Sequence, residues 1–380
     1  MSEDGVTGLA GIRVIEMASY ISGPMAGSLL GELGAEIIKI EHPPTGDPFR
    51  GWGSAESPRA SFVAYNTGKS SVCVDWTKER AWFDELVKSA DVLLSNFRPG
   101  TQEKLGLTYE KLKAVNPRLI VCNITGFGRE GEYAERPCYD TVAQAMSGLM
   151  SQLTDLENPQ CVGPPLSDTV AGLFSAVGVL SALVERQQTG VGRAVDVSMV
   201  GSSLSLIRGS VGAELVDGAK SGRLTRAMSS QSYAFVGSDK EPFVVHLSTP
   251  QKFWLGLLEA VGRSELAQDE RFKDKRSRVA NYEALKAELQ KEFMKAPRDT
   301  WLTRLNELDV PCGPVFTSSQ AATNPILLSS ISPDPMEQFE ASKRIWLEGL
   351  KAGEKPRTPS LGQDNQKFGL DSLEVSSDNA

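Results

Sequence analysis

This chain of 380 residues reads as an α/β protein, a large domain built on a parallel sheet and joined to a smaller α+β domain. Three observations lead there. Apolar runs of strand length alternate with helix-like runs between Gly11 and Ser198. The first three runs, Gly11–Met17, Pro24–Leu33 and Ala35–Ile40, fit strand, helix and strand of one right-handed βαβ unit. After Ser198 the pattern changes to a hairpin followed by helices. The large domain is expected over 1–227, completed by 324–380, and the small one over 228–323.

The elements follow in order. Pro24 suits the first turn of a helix, and Gly34 stops it. The loops after the first two strands, Ala18–Gly23 and Glu41–Asp47, are candidate ligand loops, because open parallel sheets bind ligands at strand carboxyl ends. The first loop lacks G-x-G-x-x-G, so a dinucleotide fingerprint is missing from this Rossmann-like pattern. Ser71–Asp75, Asp91–Ser95 and Leu119–Ile124 read as further strands, with helices at Thr77–Ala90 and Thr108–Val115. Leu204–Asp217 reads as a helix and Lys220–Met228 as a linker or mobile loop. Ser232–Leu247 reads as a hairpin turning at Gly237–Asp239. Phe253–Val261, Tyr282–Met294 and Thr300–Leu308 read as helices, and Val310–Val315 as an extended strand.

Composition narrows the classes. A net charge of −8 argues against a general nucleic-acid binder, while a local basic patch can still hold an anion. Five scattered cysteines form no C-x-x-C pair, so free and mostly buried thiols in a reducing cytoplasm are expected, without a metal site or disulfide framework. The first nine residues lack the apolar core of a signal peptide, and Val170–Leu183, the most apolar run, is too short for a membrane span. With only His42 and His246 available, a histidine-based metal site or triad is nearly excluded.

Two carboxylates stand at helix starts. Cys161–Gly172 reads Gly-Pro-Pro, then Ser-Asp-Thr, then small apolar residues. Ser167 or Asp168 reads as an N-cap there, and Asp168 reads either as that cap or as a nucleophilic carboxylate at the positive end of the helix. Tyr139-Asp140 likewise reads as a staple and cap or as part of a site. Cations recur just after strands: Lys39 and His42, Lys69, Arg98 beside Asn96 and Phe97, and Lys104. Together they suit one phosphorylated ligand, with Phe97 offering a face for a base.

An ordered series of motifs then resembles the class III CoA-transferases, the family of formyl-CoA transferase, carnitine CoA-transferase and α-methylacyl-CoA racemase. It runs from Val14-Ile15-Glu16 and Gly23-Pro24 through Leu33–Glu41, Asn66–Ser70, Asn96–Gly100, Thr125–Gly128, Tyr139–Gly148 and Gly192–Ser198 to Val310–Val315. The resemblance implies a cytoplasmic enzyme exchanging CoA between carboxylic acids, with succinyl-CoA a candidate donor. It implies Asp168 as nucleophile, passing through an aspartyl anhydride and an aspartyl-CoA thioester. It places CoA contacts on Ser19, Tyr20, Ile21, Ser22, His42, Lys69, Asn96, Phe97, Arg98 and Lys104, and an acyl pocket on Ile21, Tyr139, Ser230 and Gln231. It also implies an interlocked homodimer, CoA as substrate rather than resident cofactor, and no membrane or nucleic-acid partner.

Several relatives carry Arg where this chain has His42 and Lys104. Racemases of this family carry His where this chain has Tyr139, and a phenol, titrating near ~10, suits α-proton transfer poorly. The glycine run of formyl-CoA transferases is missing between Lys220 and Thr249, which counts against formyl-CoA as donor. An acyl-CoA racemase and a non-catalytic CoA-binding protein are the alternatives.

Overall fold

The computed structural model describes residues 8–52, 60–324 and 357–371. They fall into two compact units, one within Met1–Met150, Cys161–Val211 and Pro325–Ala380, the other within Ser151–Gln160 and Gly212–Asn324.

The first unit holds strands β1 (Arg13–Met17), β2 (Glu36–Glu41), β3 (Ser70–Cys73), β4 (Val92–Ser95), β5 (Ile120–Thr125) and β6 (Ala194–Ser198). They form one parallel sheet in the order β3-β2-β1-β4-β5-β6. Its helices are α1 (Ser22–Glu32), α2 (Ala60–Asn66), α3 (Arg80–Lys88), α4 (Pro99–Leu105), α5 (Tyr109–Leu112), α6 (Asp140–Met146), α7 (Leu166–Thr189), α8 (Met199–Leu206) and the start of α9 (Arg208–Asp217). Both sheet faces are apolar, as a doubly covered parallel sheet requires. Val14, Ile37, Leu94 and Ile120 join one core with α1 and α7, whereas Ile15, Ile38, Leu93 and Val121 join the other with α3. Strand order reverses between β1 and β4, so the crevice for a ligand lies above their carboxyl ends.

The second unit is an antiparallel sheet of β7 (Ser232–Val236), β8 (Pro242–His246) and β9 (Cys312–Pro314) with helices α10 (Thr225–Ser230), α11 (Gln251–Val261), α12 (Lys275–Ala280), α13 (Tyr282–Phe293), α14 (Arg298–Glu307) and α15 (Ser318–Ala322). Alternate strand residues Tyr233, Phe235, Phe243 and Val245 turn inward onto Trp254, Leu289, Phe293 and Trp301.

Five sequence expectations are corrected. Helix α7 starts at Leu166 with Pro165 as N-cap, so neither Ser167 nor Asp168 is the cap; Gly-Pro-Pro feeds straight into the helix and leaves Asp168 in its first turn. Asp140 is likewise the first residue of α6, behind Tyr139 as N-cap. The run Leu204–Asp217 is broken at Ile207, and Thr225–Ser230 is helical where a linker was expected. Helix α7 spans 24 residues, long and apolar enough by length and composition to cross a membrane. Gly172, Ser175 and Ala176 on that helix are buried inside this unit, which is how a core helix can reach such hydropathy. The thiols are all free, with Cys73 and Cys122 buried, Cys138 and Cys312 half-buried and Cys161 exposed.

Helices α1 and α7 touch through a glycine. A Cβ on Gly172 would lie 2.8 Å from Met25 Cγ and 2.9 Å from the Ser22 carbonyl oxygen. Alanine normally gains up to about 1 kcal/mol over glycine inside a helix. Here overpacking against backbone, worth about 1–3 kcal/mol, should outweigh that gain. Gly172→Ala is therefore expected to lower the urea midpoint, and an unchanged or raised midpoint would contradict this crossing.

Candidate active site

The site is built where α7 begins. Pro165 cannot donate a hydrogen bond, and the early N–H groups of α7 need acceptors from outside the helix. One comes from α6: the Asp168 N–H donates to Asp140 Oδ1 at 3.1 Å. Gln144, one turn along α6, donates to the other Asp140 oxygen and reaches the Pro164 carbonyl at 3.4 Å. Ser203 of α8 donates to the buried Ser167 hydroxyl at 2.7 Å. The start of α7 is thus held from two sides.

The Asp168 side chain turns toward Ser22 at the start of α1. Burial pushes its carboxyl up to about 7, and the nearby Asp140 charge pushes the same way. Hydrogen bonds from the Ser22 hydroxyl and backbone N–H oppose them. A carboxylate poorly solvated but still ionisable near neutrality is more basic, and more reactive toward a carbonyl, than an exposed one.

Ser22 is delivered by the loop after β1, and that loop is tied across the switch point. Asn96, just after β4, accepts the Ser19 N–H at 3.1 Å and donates to the Ser19 carbonyl at 2.8 Å. It also reaches the Ser22 hydroxyl at 3.4 Å. Asp47 Oδ1 accepts the Tyr20 N–H at 3.2 Å, and Tyr20 adopts a left-handed φ of 65°. Its ring meets Tyr139 edge-on at 5.8 Å and Phe49 at 5.4 Å. Burial, then the hydrogen bond with Tyr139, hold the Tyr20 phenol above its ordinary value. Tyr139 itself is 64% exposed, and its neighbour Asp140 accepts the Asp168 N–H.

Below this loop lies a buried ion cluster that sequence reading did not anticipate. Lys39 Nζ contacts Glu16 Oε1 at 3.0 Å and Asp47 Oδ2 at 2.9 Å. Lys69 Nζ contacts Glu16 Oε2 at 2.7 Å. Arg50 pairs with Glu41 at 2.6 Å, and Glu41 also accepts from Ser71 and the Asp47 N–H. Three carboxylates meet three cations, so the cluster is neutral. Burial raises the Glu16 carboxyl, but the two ammonium groups outweigh it and hold the carboxyl below its ordinary value. Burial dominates for Lys69, bringing it down to about 8 despite Glu16.

The expected CoA-binding cations therefore separate. Lys69 is buried and spent on Glu16, Pro24 and Asn66, so its expected place on a phosphate is corrected: its ammonium faces the interior. His42, after β2, and Arg98, after β4, are exposed at strand carboxyl ends, whereas the exposed Lys104 lies in the last turn of α4 and not at a strand end. His42 lies 3.9 Å from Asp75, and Arg98 donates to the Glu135 carbonyl at 3.2 Å. Phe97 packs partly against the α3-side core. Ile21, the N-cap of α1, is half-buried between Tyr20 and Ser22.

Ser230 and Gln231 belong to the second unit. Ser230 shares a hydrogen bond with Ser232 at 2.8 Å. Gln231 has both ends of its amide committed, to the Ser248 carbonyl and to Arg278, each at 2.6 Å. Its side chain is buried and tied within the second unit.

A doubly wound parallel sheet, with a carboxyl pushed up to about 7 beside the loop after β1, has the architecture of an α/β enzyme. The chain belongs to CoA-transferase family III, whose model matches residues 9–365. It is a family III CoA-transferase, and members of this family act on CoA thioesters. It is 36% identical to the acetyl-CoA:oxalate CoA-transferase of Acetobacter aceti, over 83% of this chain and 82% of that one. It is 35% identical to the succinyl-CoA–L-malate CoA-transferase alpha subunit of Chloroflexus aurantiacus, over 81% of this chain and 74% of that one. A crystal structure of a CAIB/BAIF family protein from Brucella suis superposes with a TM-score of 0.82 at 32% identity, covering 96% and 98% of the two chains.

Proposed function

We propose that this enzyme moves CoA from an acyl-CoA, with succinyl-CoA a candidate donor, to a free carboxylic acid, using Asp168 as nucleophile. The observation that carries this is the Asp168 carboxyl in the first turn of α7, gripped by Ser22 at the start of α1 and raised to about 7. The Asp168 carboxylate attacks the donor thioester carbonyl, and the CoA thiolate leaves. That thiolate attacks the aspartyl carbonyl of the resulting anhydride, releasing the donor acid and leaving aspartyl-CoA. The acceptor carboxylate displaces the thiolate from aspartyl-CoA, giving a second anhydride. The thiolate then attacks the acceptor carbonyl of that anhydride, which frees the new acyl-CoA and restores Asp168. N–H groups at the start of α1 and α7 are suited to the oxyanion of each tetrahedral stage. His42, Arg98 and Lys104 meet the phosphates of CoA in this reading, with Phe97 beside the base.

The test is a panel of acyl-CoA donors against oxalate, malate, succinate and glutarate, read by mass spectrometry, with a hydroxylamine quench. Transfer together with a hydroxamate at Asp168 is expected. Transfer without any label at Asp168 would remove the nucleophile from the reading. Loss of α-hydrogen to deuterium without an acceptor would favour a racemase instead.

We propose further that the enzyme acts as a homodimer in the cytoplasm. Leu173, Phe174, Val177 and Val184 leave a stripe of α7 between 43% and 62% exposed, which suits burial against a second copy. The free thiols fit a reducing compartment. Light scattering at the monomer mass would overturn the dimer.

A further inference from the structure

The two lysines of the buried cluster do more than balance Glu16. Lys39 Nζ donates to the Ala18 carbonyl at 2.7 Å, and Lys69 Nζ donates to the Pro24 carbonyl at 2.9 Å. Ala18 and Pro24 are the two ends of the segment that carries Ser22. One carboxylate joins the two grips, because Glu16 gives one oxygen to each lysine. The register makes this possible: Glu16 of β1 sits directly opposite Lys39 of β2. Asn66 adds an acceptor for Lys69 at 3.1 Å, and Asp47 bridges from Lys39 to the Tyr20 N–H. Helix α1 rests on the same carboxylate. A Cβ on Gly27 would lie 1.9 Å from Glu16 Oε2, so only glycine allows that approach.

The side chains of Lys39, Lys69 and Glu16 are at most 1% exposed, so ligand chemistry is out of their reach. If burying charge served stability alone, apolar residues of similar volume would do as well or better. What apolar residues cannot supply is a donor to one main-chain carbonyl just after β1 and to another in the first turn of α1.

We propose that Lys39 and Lys69, bridged by Glu16, are positioning residues that fix both ends of the 18–24 segment, loop and first turn of α1, which holds Ser22 against Asp168. The kinetic part of this rests on Asp168 being the nucleophile; the ordering of the loop does not.

The test uses the full-length enzyme with Lys69→Met, the charge-balanced pair Glu16→Gln with Lys69→Met, and Lys69→Arg. Three quantities are read: thermal stability, kcat and KM for the acyl-CoA donor, and amide hydrogen exchange across residues 18–24. Lys69→Met alone should lose stability, because it strands half of a buried carboxylate. The pair should recover most of that stability. Its kcat should stay down about 10–100-fold, as expected for a misplaced catalytic constellation, with KM within about twofold. Exchange across 18–24 should stay faster than in the parent. Lys69→Arg keeps the charge but moves the donor, so it should show the same split between kcat and KM. It also carries the test if the Met variants do not accumulate.

Recovery of kcat and exchange protection together with stability in the pair would reduce the cluster to structural support and overturn the proposal. Faster exchange with unchanged kcat would overturn its kinetic part. If Asp168→Asn retains full transfer, the nucleophile reading fails, and the exchange result still decides whether the lysines order the loop.

Discussion

Asp168→Asn is expected to cut kcat for CoA transfer by about 10⁴-fold or more, the scale seen when a nucleophile is removed from an acyl-transfer site. Asparagine keeps the size of the side chain and the backbone N–H that Asp140 accepts, so the start of α7 should stay in place. CoA-ester binding should persist within about threefold, since the contacts assigned to CoA lie on other loops. Hydroxylamine should yield no hydroxamate at position 168. The same substitution should leave the protein at least as stable as the parent at pH 8. The parent carries an ionised carboxylate there, in a place that burial makes unfavourable, and the amide does not. Loss of activity together with loss of stability would point to a structural residue. Loss of activity with stability kept is the signature of a nucleophile. Rapid-quench measurement of acyl-enzyme formation, beside urea unfolding at pH 8, separates the two.

The fold was legible because its signals are local. Alternating strand and helix runs, Gly34 after α1 and Pro24 at its start mark the first βαβ unit within one turn of where it lies. The hairpin of the second unit was legible for the same reason. The site was legible in kind but not in arrangement. Lys39 and Lys69 read as ligand cations, yet Lys39 lies inside β2 and Lys69 just before β3, and a single lysine gives no sign of which way it turns. The missed signal was Glu16. A carboxylate between Ile15 and Met17, in a strand apolar on both faces, must be paired, and its nearest partner is the residue opposite it in β2. Asp140 was ambiguous because its partner, the Asp168 N–H, lies 28 residues away in sequence and is close only once α6 and α7 pack. The hydrogen bond of Gln231 is hidden in the sequence for a related reason. Its partner Arg278 is brought in by α12, which no local pattern connects to β7.

The pH profile should report the two carboxylates directly. As the proposed nucleophile, Asp168 would act only when ionised, so kcat/KM for the donor should rise through a midpoint near 7 and fall about a hundredfold two pH units below it. Stability should run the other way for this group. Its folded value lies above the ordinary 3.8, so its contribution is complete below about 4 and is lost as pH rises through 7. Asp140→Asn separates charge from geometry. The amide oxygen can still accept the Asp168 N–H, and Gln144 can present its own amide oxygen after a flip, but the like charge is gone. The acid limb should therefore move to lower pH, stopping short of 3.8 because burial, the larger cause, remains. An unmoved midpoint would show that the Asp140 charge does not reach Asp168. Lys69, brought down to about 8, should add an alkaline limb, since a neutral amine grips Glu16 and the Pro24 carbonyl less firmly. Asp140→Asn should leave that limb alone, and Lys69→Met should abolish it. One profile thus distinguishes the carboxylate that reacts, the carboxylate that tunes it and the lysine that holds their loop.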